Sequence, residues 1–283
     1  MQIGFNLLLW TGHVEDRHLP HLEALKAAGY DGVEVPAFGG DGAYYRRLGR
    51  QIRDIGLQAT AITMIPDAAR NPLGADQAQR QAAREHLAAA SDWAAELGAS
   101  LLCGPIAQPL GHFSGAGPTE AELARLAEVH RAAAEAAAAR GVLLVMEYLN
   151  RYDTYVINTM AQALAHAGRV GHPNFGLMHD TFQANLEEAD PAGVIGQAGA
   201  LLRHVHISEN DRGTPGRGHV AFGAHFRALR AIGYDAWLTV EAFGRSDPGL
   251  AAATRTWRDV SRDPAQVYTE GLRLIRDGWA AAA

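Results

Sequence analysis

Four residues carry most of the chemistry this sequence can offer. Glu147 closes the apolar run LLVME, Asp180 closes FGLMHD, His206 stands near the end of HVHIS, and Glu241 closes WLTVE. They are spaced 33, 26 and 35 residues apart. Each spacing is close to one strand–helix unit, so four neighbouring strands would aim two glutamates, one aspartate and one histidine at a common point. Three carboxylates converging in a low-dielectric site do not all stay ionised without a cation. Three oxygen donors and one imidazole suit a divalent metal such as Mn²⁺, Co²⁺ or Mg²⁺. A thiolate-rich zinc site is excluded, because Cys103 is the only cysteine. Such an ion beside two carboxylates can make the proton next to a ketone removable, by stabilising the negative charge that develops on oxygen. Return of the proton from a second carboxylate on the opposite face inverts the carbon. Delivery to the neighbouring carbon moves the carbonyl instead. The plain alternative is four unrelated polar residues bonded to nearby loops, and a shared position at four successive strand ends argues against it.

The elements that would hold these residues can be read from end to end. Apolar runs suited to strands are Ile3–Leu9, Gly32–Val35, Leu57–Thr63, Ser100–Gly104, Val142–Glu147, Phe175–Asp180, His204–Ile207 and Trp237–Glu241. Between them lie helical patterns over Leu19–Ala28, Tyr44–Ile55, Gln77–Leu97, Glu120–Arg140, Thr159–Ala167, Pro191–Leu201 and Ala224–Ile232, with a last helix over Pro264–Trp279. Gly29, Gly56, Gly98, Gly141 and Gly233 each precede a strand, where a glycine accepts the left-handed conformation that ends a helix. Eight strands alternating with helices predict a closed (β/α)8 barrel of the α/β class over residues 1–283, with a C-terminal helix. The first strand is not followed by G-x-G-x-x-G, which argues against an open dinucleotide-binding sheet. The stretches Asp67–Asp76 and Arg212–Gly223 read as long loops after strands three and seven, where barrels build their sites.

Flanking motifs sharpen the reading. Glu147–Asp153 spells EYLNRYD, Asp180–Phe182 spells DTF, and the loop after strand seven spells HISENDRGTPGRGHV. With these the chain resembles the ketose 3-epimerases, the D-tagatose/D-psicose group of the xylose isomerase-like barrels, over nearly its whole length. The resemblance implies that Glu147, Asp180, His206 and Glu241 bind one divalent metal, and that Glu147 and Glu241 are also the two acid/base residues. It implies that Arg212 contacts substrate oxygens and places Glu209 on the acidic residue of the same loop. It further implies a homodimer or homotetramer acting on a free sugar, with aldose–ketose isomerisation as the alternative outcome on the same metal. Three positions depart from the family pattern. Gln183 replaces the histidine of D-x-x-H, Asp153 replaces a glutamate, and Asn6 replaces an aromatic, whereas Trp10 fits.

Other residues read more simply. Trp10 is placed to pack on a sugar face or to serve as wall. Phe113, after strand four, is placed to line the pocket or to pack its loop. Glu34, ending strand two, is placed to orient pocket groups or to bond loop backbone. His204 lies one layer below His206 and reads as a core histidine. Arg217 and His219 read as a phosphate pair or as solvated loop residues.

The composition agrees with a small-molecule enzyme. The chain has 283 residues, 48% of them hydrophobic and 20% charged, with 25 basic against 31 acidic side chains. The resulting charge of −6 disfavours binding to nucleic acid through phosphates. An abasic-site endonuclease on a related barrel would also need metal-ligating histidines where this chain has Thr63, Gly104 and Gln183. A lone cysteine and the lack of a basic, apolar leader point to a cytoplasmic protein. No apolar run approaches the length of a membrane span.

Overall fold

The computed structural model describes Met1 to Ala282. Eight parallel strands close into a barrel in sequence order. They are β1 (Gln2–Asn6), β2 (Gly32–Pro36), β3 (Gln58–Ile62), β4 (Leu101–Gly104), β5 (Leu143–Met146), β6 (Phe175–Asp180), β7 (Leu202–Ile207) and β8 (Trp237–Val240). Closure comes from β1 pairing with β8, where Gln2 stands against Trp237 and Phe5 against Val240. Around the barrel run α1 (Leu19–Ala28), α2 (Gly42–Ile55), α3 (Gln77–Leu97), α4 (Glu120–Ala138), α5 (Met160–Val170), α6 (Thr181–Glu187), α7 (Val194–Ala198), α8 (Phe222–Ala231), α9 (Pro248–Ala253) and α10 (Pro264–Ala281).

Local chemistry sets these boundaries. Asp41, Asp76, Thr119, Thr159 and Asp263 accept backbone N–H bonds at the starts of α2, α3, α4, α5 and α10. A side-chain oxygen there satisfies one of the orphan donors of the first turn. Gly29, Gly56 and Gly98 end α1, α2 and α3 in the left-handed region. The glycine-before-strand cadence therefore marks real helix ends.

Alternation along the strands divides the apolar residues between two regions. Leu8, Ile62, Leu101, Cys103, Val145, Met178 and Trp237 pack together as one cluster. Phe5, Val33, Val35, Leu102, Leu144, Leu177, Val205 and Val240 belong to the larger cluster shared with the helices. The Trp237 indole demands space from its neighbours. A Cβ on Gly32 would lie 2.6 Å from its ring, so only glycine fits that position on β2.

Several expected elements differ. The strand expected over Ile3–Leu9 stops at Asn6, and Leu7–Leu9 forms a 3-10 turn. The cause is Asn6, whose side-chain oxygen accepts from Leu8 N at 2.9 Å and turns the chain. The helix expected over Pro191–Leu201 reduces to α7 followed by a 3-10 turn at Gly199–Leu201. Gly199 breaks it. Helices α6 and α9 were not expected, being too short to show a periodic stripe.

Between α4 and α5 two histidines are buried together. His130 Nε2–H donates to Ile106 O at 3.0 Å, which leaves His130 Nδ1 to accept from His166 Nε2–H at 2.8 Å. Burial pushes His130 down to about 4 and His166 down to about 2, the latter helped by His130 and Arg169. Both rings are thus neutral when folded, whereas the unfolded chain protonates near 6.5. Below that value the unfolded state binds more protons, so acid favours unfolding. Each ring is expected to remove about 1.4 kcal/mol per pH unit once pH falls below about 6. Urea unfolding at pH 7.5, 6.0 and 5.0 measures this. His166→Leu should make the dependence shallower, and an equal slope in both proteins would contradict the account.

Candidate active site and metal centre

The four strand-end residues meet at the C-terminal mouth of the barrel. Glu147 directly follows β5 and Glu241 directly follows β8, each with its backbone N–H still bonded to the neighbouring strand. Asp180 is the last residue of β6, and His206 is the penultimate residue of β7. All four side chains are buried. Ligand atoms of Glu147, Asp180 and His206 all lie within 4.8 Å of one another. Glu241 joins from the β8 side, with Oε1 at 3.3 Å from His206 Nδ1.

The carboxylates have unequal surroundings. Asn6 Nδ2 donates to Glu241 Oε1 at 3.1 Å, and Arg212 Nη1 donates to Glu241 Oε2 at 2.6 Å. The same Arg212 nitrogen reaches Asp180 Oδ2 at 2.6 Å and Ser208 Oγ at 2.7 Å. Asp180 Oδ1 also caps α6 by accepting from Phe182 N at 2.7 Å. No protein donor among the described residues reaches the Glu147 carboxylate. Burial, then Glu241 and Asp180, push its proton affinity well up. Burial also raises Asp180, against the pull of Arg212. Burial would raise Glu241 too, but His206 and Arg212 outweigh it and hold it down to about 2.

This donor set fits a divalent cation. It offers three carboxylates and an imidazole nitrogen in one buried cluster, with Glu147 lacking any compensating partner. His206 Nδ1 has no hydrogen bond of its own, while Nε2 donates to Glu34 Oε1 at 2.7 Å. An ion there would have four candidate ligands from four consecutive strands.

Arg212 is held with care. Its backbone is left-handed, with φ at 60°, an uncommon state for a residue with a Cβ. Two hydrogen bonds fix it there: Arg212 N donates to Glu209 O at 3.0 Å, and Phe243 N donates to Arg212 O at 2.9 Å. The guanidinium is sandwiched, 3.9 Å from the Phe182 ring centre and 4.9 Å from that of Phe243. Sequence reading did not single out these two rings. Each follows a strand-end carboxylate by two residues, Asp180 and Glu241, and that shared spacing was the available signal.

The remaining expected residues fall into two groups. Gln183 is buried, and its Oε1 accepts from both Asn150 N and Asn150 Nδ2 at 2.8 Å. Asn150 Nδ2 also donates to Asp153 Oδ2 at 2.8 Å, and Arg255 Nη1 donates to Asp153 Oδ1 at 2.5 Å. Gln183 and Asp153 thus tie the loop after β5 to α6 and to the segment after α9. Glu209 faces its own loop, accepting from Asn210 N and Val220 N at 3.0 Å and from Gly216 N at 2.8 Å. Trp10 is 5% exposed, stacked at 4.6 Å on His21 and 5.1 Å from Phe5, so it is packed as wall. Phe113 is 48% exposed in the loop after β4. Asn6 takes the most central place of all, since its amide touches both Glu34 and Glu241.

Comparison with known proteins agrees with this geometry. Residues 22–278 match the family model described as xylose isomerase-like TIM barrel. A ketose 3-epimerase from Arthrobacter globiformis is 34% identical over 280 residues, covering 98% of this chain and 96% of that protein. A solved L-ribulose 3-epimerase superposes with a TM-score of 0.92 at 31% identity, covering 99% of this chain and 95% of that one. The D-allulose 3-epimerase from Methylomonas sp., solved in complex with D-allulose, gives 0.90 at 30% identity over 98% and 96%. No helix among the described residues is long and apolar enough to cross a membrane. A chain with this closed barrel and these relatives belongs to the xylose isomerase-like TIM barrel family and, within it, to the ketose 3-epimerases, enzymes of the isomerase class.

Proposed function

We propose that this enzyme inverts C3 of a free ketose by moving a proton between two glutamates, Glu147 and Glu241. The observation that carries the reading is their placement. They directly follow β5 and β8, strands separated by β6 and β7 around the mouth, with Asp180 and His206 between them. A planar intermediate held between them can lose a proton to one side and regain it from the other.

Glu147, Asp180, His206 and Glu241 are the residues that would hold a divalent cation, for which Mn²⁺ is our choice and Co²⁺ and Mg²⁺ also fit the donors. Such an ion, when bound, supplies a Lewis acid that makes negative charge on substrate oxygen less costly. The rest falls to the chain. One carboxylate takes the C3 proton, and the C–H electron pair moves into the ketone to give an enediolate. The opposite carboxylate, protonated, delivers its proton to the other face of C3, and the electron pair returns to carbon. The two carboxyl groups have then exchanged protonation states, so each direction of a reversible epimerisation uses both. Asn6 and Arg212 fix both oxygens of Glu241 and hold it at one angle. Nη1 of Arg212 is engaged by carboxylates, leaving Nε and Nη2 for substrate oxygens. Gln183, its oxygen held by Asn150, turns its NH₂ group toward donation.

Proton exchange in D₂O tests this directly. With Mn²⁺ and fructose, tagatose, psicose or ribulose, deuterium is expected at C3 together with the 3-epimer. Glu147→Gln and Glu241→Gln should each slow the reaction about 100- to 10,000-fold. Label at C1 with an aldose product would show an isomerase instead. Metal binding has its own readout. At a hundredfold excess over Kd, Mn²⁺ should stabilise the fold by about 2.7 kcal/mol, a rise of several degrees in Tm. Asp180→Asn should flatten that rise, and an undiminished shift would remove Asp180 from the ligand set.

A further inference from the structure

Glu34 is a buried carboxylate that accepts four hydrogen bonds, and the proton transfer above does not use it. It lies on β2, fully buried, opposite Asn6 on β1 and Thr60 on β3. Oε1 accepts from His206 Nε2 at 2.7 Å and from Asn6 Nδ2 at 2.9 Å. Oε2 accepts from Thr60 Oγ1 at 3.0 Å and from Cys103 Sγ at 3.2 Å. His204 Nε2 is a further 2.8 Å neighbour of Oε2, though not aligned as a hydrogen bond.

Glu34, Cys103, His204 and His206 could be mistaken for a second metal site, since their donor atoms also lie within 4.8 Å of one another. One observation argues otherwise. The Glu34 oxygens are already saturated by four protein donors, which fits a hydrogen-bonded anchor better than a ligand shell.

We propose that Glu34 is a positioning residue that acts through His206, keeping the proton on Nε2 and the ring turned so that Nδ1 serves as metal ligand. A carboxylate on the far nitrogen fixes both the tautomer and the orientation of a ligating imidazole and raises its basicity. The inference rests on the reading of His206 as a ligand. Because Asn6 bridges Glu34 Oε1 and Glu241 Oε1, Glu34 also touches the β8 ligand by a second route. The experiment must separate the two.

Mn²⁺ affinity measured by titration calorimetry does so without reference to activity. Glu34→Gln is nearly isosteric but lacks the charge, and should weaken Mn²⁺ binding about 10- to 100-fold. In a His206→Asn background the same substitution should change affinity by less than about twofold, because the residue it acts through is gone. A residue that only supports the fold would lower affinity equally in both backgrounds. Glu34→Asp keeps the charge but withdraws it by one methylene, and should fall between wild type and Glu34→Gln. It serves as the test if the glutamine variant does not fold. Unchanged affinity in Glu34→Gln, with wild-type binding intact, overturns the role of Glu34 alone. An equal loss in both backgrounds also overturns it and points to the Asn6–Glu241 route. Failure of the wild type to bind Mn²⁺ overturns the metal reading itself, and this inference with it.

Discussion

Like-charge repulsion in a buried space is the constraint on which the site depends. Two carboxylates 4 Å apart repel by about 4 kcal/mol at an effective dielectric of 20, and this mouth collects three, with Glu34 linked to one of them through Asn6. The cost is met in part by the chain. Arg212 bridges Asp180 and Glu241, and the single imidazole of His206 stands between Glu34 and Glu241. Glu147 accepts no hydrogen bond from the described residues, and burial, then Glu241 and Asp180, push its proton affinity up against the weaker pull of His206 and Arg212. A site that is one cation short favours binding a cation, and a divalent ion adds the charge that side chains do not.

The barrel earns that placement through stiffness. Each strand-end residue inherits its direction from a ladder pinned on both sides, with no free edge. Lower in the barrel, packing is fitted around Trp237, for which β2 gives up a side chain at Gly32. Loops then add what strands cannot. Glu209 braces the loop that presents Arg212, and Phe182 and Phe243 hold its guanidinium between two rings. The Gln183–Asn150–Asp153–Arg255 chain of contacts joins α6, the loop after β5 and the segment after α9. The side chains proposed above to meet the substrate are thus themselves tied down.

Much of this was legible in the sequence because it is local. Glu147, Asp180, His206 and Glu241 each end or nearly end an apolar run, so the strand phase alone aimed them at one mouth. Several helices announced their ends by a glycine just before the next strand. What stayed hidden depends on contacts between distant parts of the chain. His206 and Glu34 are 172 residues apart, and nothing near either residue announces the other. Asn6 looked like a loss of an aromatic, but its amide ends β1 early and links Glu34 to Glu241. Trp10 matched a pattern, yet His21 and Phe5 hold its ring in the wall. The helix expected over Pro191–Leu201 gave way at Gly199, where φ is 49°. There a local backbone preference outweighed an apolar pattern that was only moderately helical.

The central claim is that these four residues form a single metal site, and diffraction can address it with one map. Crystals grown with Mn²⁺ and measured at the manganese absorption edge should show one anomalous peak per chain. The account places it in bonding contact with Glu147, Asp180, His206 Nδ1 and Glu241, with Glu34 bonded to the far side of the His206 ring. A peak held instead by Glu34, Cys103 and His204, or no peak at saturating Mn²⁺, would contradict it.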